Sequence, residues 1–205
     1  MHRTRIKICG LTREEDVRAA VSAGADAIGF VFYPPSPRFV SFERAAELAR
    51  LIPPFVTTVG LFVNAGRDYV ENALEAVPLQ VLQFHGDETE ADCVGFGLPY
   101  IKAGRMRPGL DLLKYAASFP CAQGLLLDAF VEGYGGGGET FDWSLIPSGL
   151  PLPLILSGGL HAGNVAEAVR CVQPWAVDVS SGVEAAKGIK DADRITEFVA
   201  GVQNA

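Results

Sequence analysis

Leu154-Ile155-Leu156-Ser157-Gly158-Gly159 and Ala176-Val177-Asp178-Val179-Ser180-Ser181-Gly182 share one grammar: a short apolar run, then a turn of serine and glycine. Between them Val165, Ala168, Val169 and Val172 recur at the spacing of a helix with one apolar face. A buried strand, a tight turn and a covering helix make a βα unit, and a series of such units builds a parallel sheet. The same pattern extends upstream through the chain. Strand candidates lie at Arg5–Cys9, Ala27–Phe32, Thr57–Val63, Gln80–Phe84, Tyr100–Ala103 and Gly124–Asp128, in addition to Leu154–Ser157 and Ala176–Ser180. Helical faces recur at Ala45, Leu48, Ala49 and Ile52, at Val70, Ala73, Leu74 and Val77, and at Ile195, Phe198, Val199 and Val202. Thr12, Asn164 and Asp191 read as helix N-terminal signals and Gly24 as a C-terminal stop. Only the stretch after the sixth strand lacks a long helical pattern.

Eight units in 205 residues allow about 26 residues each, enough for a strand, a turn and a short helix wound in one hand. The expected fold is α/β, a compact (β/α)8 TIM barrel, with residues 1–205 as a single domain. The competitor is an open doubly wound sheet. That fold carries a phosphate-binding glycine loop after its first strand, whereas here the first strand ends in Cys9-Gly10-Leu11-Thr12.

Composition narrows the function. The chain is 49% hydrophobic, ample for one core, and 17 Lys+Arg against 24 Asp+Glu leave a net charge of −7. Nucleic acid and anionic membrane surfaces call for a basic face, so neither is an expected partner. Apolar runs such as Ala27 to Tyr33 fall far short of the roughly 20 residues of a spanning helix. The basic start, Met1 to Arg5, is followed by an apolar stretch that Lys7 interrupts and that lacks a cleavage pattern, so a soluble cytoplasmic chain is expected. Cys9, Cys93, Cys121 and Cys171 show no CxxC spacing, which suits a reducing compartment. His2, His85 and His161 have no spacing that joins two of them to a carboxylate on one helical face. Neither a metal nor another cofactor is expected, and either a monomer or a homodimer fits. No G-x-S-x-G elbow or Walker loop supports serine hydrolase or P-loop chemistry.

In a barrel of this kind the chemistry gathers at the C-terminal ends of the strands. Six strand ends carry unusual residues there: Cys9, Arg38 in the loop after the second strand, His85, Asp128, Ser157-Gly158-Gly159 and Ser180-Ser181-Gly182. The last two turns suit a phosphate, because glycine lets the backbone approach and exposed N–H groups attract an anion. They serve equally as plain strand-to-helix turns. Gly135 to Gly138 read either as a lid adding backbone donors or as a floppy loop. Cys9 is a small buried hydrophobe or a catalyst, and Asp128 is a helix cap or a general acid. Arg38, in a loop stiffened by Pro34, Pro35 and Pro37, is a solvated side chain or a clamp for a carboxylate. His85 is structural or part of the pocket. Lys102 is a Schiff-base lysine of an aldolase or, by preference, an interior or mouth lysine holding an anion.

Strand alternation adds a geometric expectation. If Cys9 faces the mouth, Lys7 and Arg5 also turn inward, and Ser180 in the mouth turns Asp178 inward. The first and eighth strands are neighbours in a closed barrel, so a buried Lys7–Asp178 pair is expected below the active face.

Lys7-Ile8-Cys9-Gly10-Leu11-Thr12, Gly24-Ala25-Asp26, Gly29-Phe30-Val31-Phe32, Ser36-Pro37-Arg38 and Gln83-Phe84-His85-Gly86 together resemble the phosphoribosylanthranilate isomerase family of tryptophan biosynthesis. Leu127-Asp128, the glycine run with Phe141-Asp142-Trp143, Leu156-Ser157-Gly158-Gly159-Leu160, Asn164-Val165 and Asp178 to Glu184 follow in family order, so the likeness runs from about Lys7 to Phe198. The resemblance implies a metal-free Amadori rearrangement of N-(5-phosphoribosyl)anthranilate, a small phosphorylated substrate. It makes Cys9 the general base and Asp128 the general acid. It implies that Arg38 takes the anthranilate carboxylate and that Gly158, Gly159, Ser180, Ser181 and Gly182, with Gly136, Gly137 and Gly138, grip the phosphate. His85 and Asp178 join the substrate-binding set. Reference values of about 3.9 for Asp and about 8.5 for Cys oppose that assignment of protons at neutral pH. Burial is expected to raise the carboxyl and a cation such as Lys7 to lower the thiol. The chain departs from the family pattern at Glu139, where Lys is usual, and at Phe84, where Leu is usual. A different phosphosugar barrel enzyme using Lys102, or a barrel that binds a phosphometabolite without turnover, are the alternative readings.

Overall fold

Arg5 lies opposite Ala176, and Lys7 opposite Asp178, in parallel register. That pairing joins the last barrel strand to the first and closes the sheet. The computed structural model describes residues 3–107, 109–129 and 140–205. Its parallel strands run in simple order around the barrel: β1 Arg5–Cys9, β2 Ala27–Val31, β3 Thr57–Phe62, β4 Val81–Phe84, β5 Tyr100–Met106, β6 Gly124–Ala129, β7 Leu154–Leu156 and β8 Ala176–Val179. The described helices are α1 Glu14–Ala23, α2 Phe42–Ala49, α3 Arg67–Ala76, α4 Glu90–Cys93, α5 Leu112–Ala117, α6 Val165–Val172 and α7 Ala192–Gln203. Between β6 and β7 the described residues contain one 3-10 turn, Trp143–Leu145. After β8 a second 3-10 turn, Ser181–Val183, leads into an antiparallel hairpin of β9 Glu184–Ala186 and β10 Ile189–Lys190.

The main core lies between barrel and helices. Ala45 and Leu48 on α2, Val70 and Ala73 on α3, Val165 and Ala168 on α6, and Ile195 and Phe198 on α7 are fully buried, as the helical spacing predicts. Phe32, Phe62 and Phe84 join them from neighbouring strands, with ring centroids 5.3 and 6.2 Å apart. Each of the Val, Leu, Ile and Phe side chains among them contributes about 1.5–3 kcal/mol on leaving water.

Three differences from the sequence reading are informative. β5 continues past Ala103 to Met106 because β6 offers partners throughout, with Gly104 opposite Leu127 and Met106 opposite Ala129. Sheet pairing there overrides the weak strand preference of Gly104. Thr12 does not cap α1: Arg13 holds that position, and the Thr12 hydroxyl donates instead to the Gly188 carbonyl at 2.9 Å. Asn164 stands at the start of α6 but spends its amide on His161 N–H and the Gly159 carbonyl, while Asp191 caps α7 as expected by accepting from Asp193 and Arg194. Gly24 closes α1 with φ of 97°.

Candidate active site

The C-terminal ends of the strands line a cleft that opens to solvent. Cys9, Arg38, His85, Asp128, Gly158, Gly159, Asp178, Ser180 and Ser181 all line it, as the sequence suggests. Gly182 does not line it: a side chain there would run into the Leu160 carbonyl, so this glycine packs the turn after β8 against the loop after β7. Gly136, Gly137 and Gly138, with Glu139, lie outside the described residues. The sequence reading overlooked one wall. Val31, Tyr33, Leu61 and Val63 gather beside Cys9 into an apolar cluster that lines the same cleft. Their only signal was a place at or just beyond the ends of β2 and β3.

Lys7 and Asp178 form the expected pair inside the barrel, Nζ to Oδ1 at 2.8 Å, each 4% exposed. Cys9 follows two residues beyond Lys7 on the same inward face. Burial raises the Cys9 thiol above its ordinary range, and Asp178 adds to that, while Lys7 and Lys190 offset only part of it. Lys7 does pull the thiol down, as expected, but burial and Asp178 outweigh it, so the thiol stays raised overall. The lysine's charge is shared with Asp178, whose own negative charge works against a thiolate.

Asp128 reaches the cleft from the end of β6, with Oδ2 3.1 Å from His85 Nε2. His85 Nδ1 faces the Gln83 amide nitrogen at 3.0 Å, and Gln83 is fully buried in β4. An amide nitrogen only donates, so Nδ1 accepts and Nε2 carries the proton toward Asp128. Gln83 Oε1 is buried without a partner. Turning the amide end for end would let Oε1 accept from a protonated Nδ1, freeing Nε2 to accept from a neutral Asp128. One network thus serves both protonation states of the carboxyl.

The turn after β7 has positive φ at Gly158 and Gly159, 84° and 62°. A side chain at Gly158 would stand 2.4 Å from Ala129 N and 3.0 Å from Asp128 Oδ1, so this turn rests directly on the end of β6. Ser180 Oγ donates to the Cys9 carbonyl at 3.0 Å and ties the turn after β8 to β1. Arg38 is 7% exposed and gives Nε and Nη2 to the two oxygens of Glu184 at 2.7 and 2.9 Å. It is a held side chain rather than a solvated one. Lys102 is fully buried, bonded to the Gly86 carbonyl at 2.8 Å and to Glu88 at 3.1 Å, and it does not line the cleft. That placement removes the anion-binding and Schiff-base roles considered for it. Among the described residues, no three His, Cys, Asp or Glu side chains converge so as to hold a metal ion.

Comparison with known proteins agrees with this geometry. Residues 6–201 match the family described as N-(5'phosphoribosyl)anthranilate (PRA) isomerase. The N-(5'-phosphoribosyl)anthranilate isomerase of Dechloromonas aromatica is 68% identical over 203 residues, covering 99% of this chain and 98% of its own. The crystal structure of phosphoribosyl anthranilate isomerase from Thermotoga maritima superposes with a TM-score of 0.88 at 42% identity, covering 98% of this chain and 100% of that one. A phosphoribosyl anthranilate isomerase solved with reduced 1-(o-carboxyphenylamino)-1-deoxyribulose 5-phosphate gives 0.84 at 40% identity, with coverage of 98% and 100%. With its closed barrel and this cleft, the chain belongs to the N-(5'-phosphoribosyl)anthranilate isomerase family.

Proposed function

We propose that residues 1–205 act as one domain that converts N-(5-phosphoribosyl)anthranilate to 1-(2-carboxyphenylamino)-1-deoxyribulose 5-phosphate, with Asp128 as general acid and Cys9 as general base. The observation that carries the reading is the convergence of the Cys9 thiol and the Asp128 carboxyl in a single cleft beside two serine–glycine turns. Neutral Asp128 gives its proton to the furanose ring oxygen, and the sugar opens to a Schiff base. The Cys9 thiolate then takes the C2′ proton, leaving an enolamine that tautomerises to the ketone. Return of that proton from Cys9 to Asp128 restores the starting state. A thiolate held above its ordinary range is scarce but strongly basic, which suits removal of a carbon-bound proton.

The turns after β7 and β8 take the phosphate, Arg38 takes the aryl carboxylate, and the apolar wall of Val31, Leu61 and Val63 receives the aromatic ring. Four free cysteines, two of them exposed, together with a thiol base, favour a reducing cytoplasmic setting. No described helix is long and apolar enough to cross a membrane.

Loss of substrate fluorescence, with the labile substrate generated in situ, tests the assignment. Cys9→Ala and Asp128→Asn are each expected to lower kcat by about 10²–10⁴-fold. A folded wild-type chain that binds the substrate without turnover would favour the binding-protein reading. Turnover persisting in both variants would overturn the acid–base pair.

A further inference from the structure

The hairpin after β8 lies outside the cleft lining, yet Glu184 and Lys190, paired across its two strands, are 7% and 3% exposed. Both carboxylate oxygens of Glu184 engage Arg38, and Lys190 Nζ reaches Glu184 Oε1 at 2.9 Å and the Ser180 carbonyl at 3.0 Å. The tip of the hairpin is fastened too. Gly188 has φ of 79°, a side chain there would meet the Pro37 carbonyl at 2.6 Å, and its own carbonyl accepts from Thr12. Beneath the arginine, a side chain at Gly10 would stand 2.6 Å from Arg38 Cδ. Arg38 is thus laid on the turn after β1, with its chain neighbour Pro37 pressed by the hairpin tip and its guanidinium gripped by Glu184.

We infer that the β9–β10 hairpin is the positioning device for recognition of the aryl carboxylate, with Glu184 and Lys190 acting through Arg38. Two of the five guanidinium N–H donors go to Glu184, which fixes the plane and aims the others from a side chain that lines the cleft. Arg38 and Glu184 alone form a neutral pair, a weak attractor for an anion. Lys190 on the same carboxylate leaves the cluster with one net positive charge beside the mouth. The inference rests on the reading that Arg38 meets the substrate carboxylate.

The full chain carrying Glu184→Gln, Glu184→Asp, Lys190→Met or Arg38→Met tests this. Measurements are kcat, KM and the inhibition constants of two stable product analogues: the reduced aminodeoxyribulose 5-phosphate with its aryl carboxylate, and the same molecule lacking it. Glu184→Gln is expected to raise KM about 10–100-fold with kcat changed less than about threefold, and to shrink the preference for the carboxylate analogue about tenfold or more. Glu184→Asp should restore part of the preference, and Lys190→Met, which keeps the Arg38–Glu184 pair, should also reduce it. Equal weakening of both analogues, or a fall in kcat with the preference intact, would overturn the inference. Preference lost in Arg38→Met but kept in both Glu184→Gln and Lys190→Met would overturn it alone. Preference kept in Arg38→Met would overturn the carboxylate assignment and the inference with it.

Discussion

Cys9 has burial and Asp178 on one side of its proton balance and Lys7 and Lys190 on the other, and the first two prevail. Because the folded value lies above the unfolded one, the thiol's contribution to stability is complete below the ordinary cysteine range and is lost as pH rises through the folded value. For catalysis the same shift sets a limb above about 8.5: the active pair holds one proton, on Asp128 beside the Cys9 thiolate, so kcat/KM falls as pH rises through the Cys9 value. Asp178→Asn should move that limb to lower pH and Lys7→Met to higher pH, read from rates between about pH 6 and about pH 10. A limb that stays in place in both variants removes Cys9 as the base. The position of Cys9 and Asp128 was legible because each closes an apolar run that reads as a barrel strand. The role of Glu184 was not, since its partner Arg38 lies 146 residues away and no local pattern links them. The direction of the Cys9 shift was misread for a related reason: the cation at Lys7 was visible in the sequence, but how far Asp178 and burial outweigh it depends on the folded interior.

Besides its proposed hold on a phosphate, the turn after β7 bears directly on the end of β6. Resting on Ala129 N and Asp128 Oδ1, Gly158 sets where the Asp128 carboxyl, the proposed acid, stands. Gly158→Ala should therefore displace the end of β6 and lower kcat by about tenfold or more, since a misplacement of about 1 Å at a reacting group is costly. Steady-state kinetics beside a thermal melt checks this, and an unchanged kcat would mean that the turn gives way instead of the strand. Strand positions were read nearly to the residue because apolar runs bounded by turn residues mark them, whereas β5 outran its apparent end because its partner β6 continues. Helix caps were less legible. Asp191 does what its type suggests, while Thr12 is drawn to the Gly188 carbonyl of the hairpin after β8 and Asn164 to Gly159 and His161 in the loop that leads into its own helix.

Barrel closure places Lys7 against Asp178 at the seam between β1 and β8, away from water. Lys7→Met alone should cost about 3–5 kcal/mol by leaving a buried carboxylate unpaired, and adding Asp178→Leu should recover most of it. Urea midpoints with matched slopes decide the point, and a single variant as stable as the double would show that water reaches the seam. The closed eightfold architecture was legible from periodicity and chain length, as was this pair, because strand alternation and adjacency suffice to derive both. Closure also fixes where the polypeptide starts and finishes. β1 enters beside Pro174 and Trp175, and α7 ends with Gln203 against Gly24, so both ends emerge on the rim opposite the cleft. A surface or a second polypeptide meeting the molecule at that rim would approach from behind and leave the mouth unobstructed.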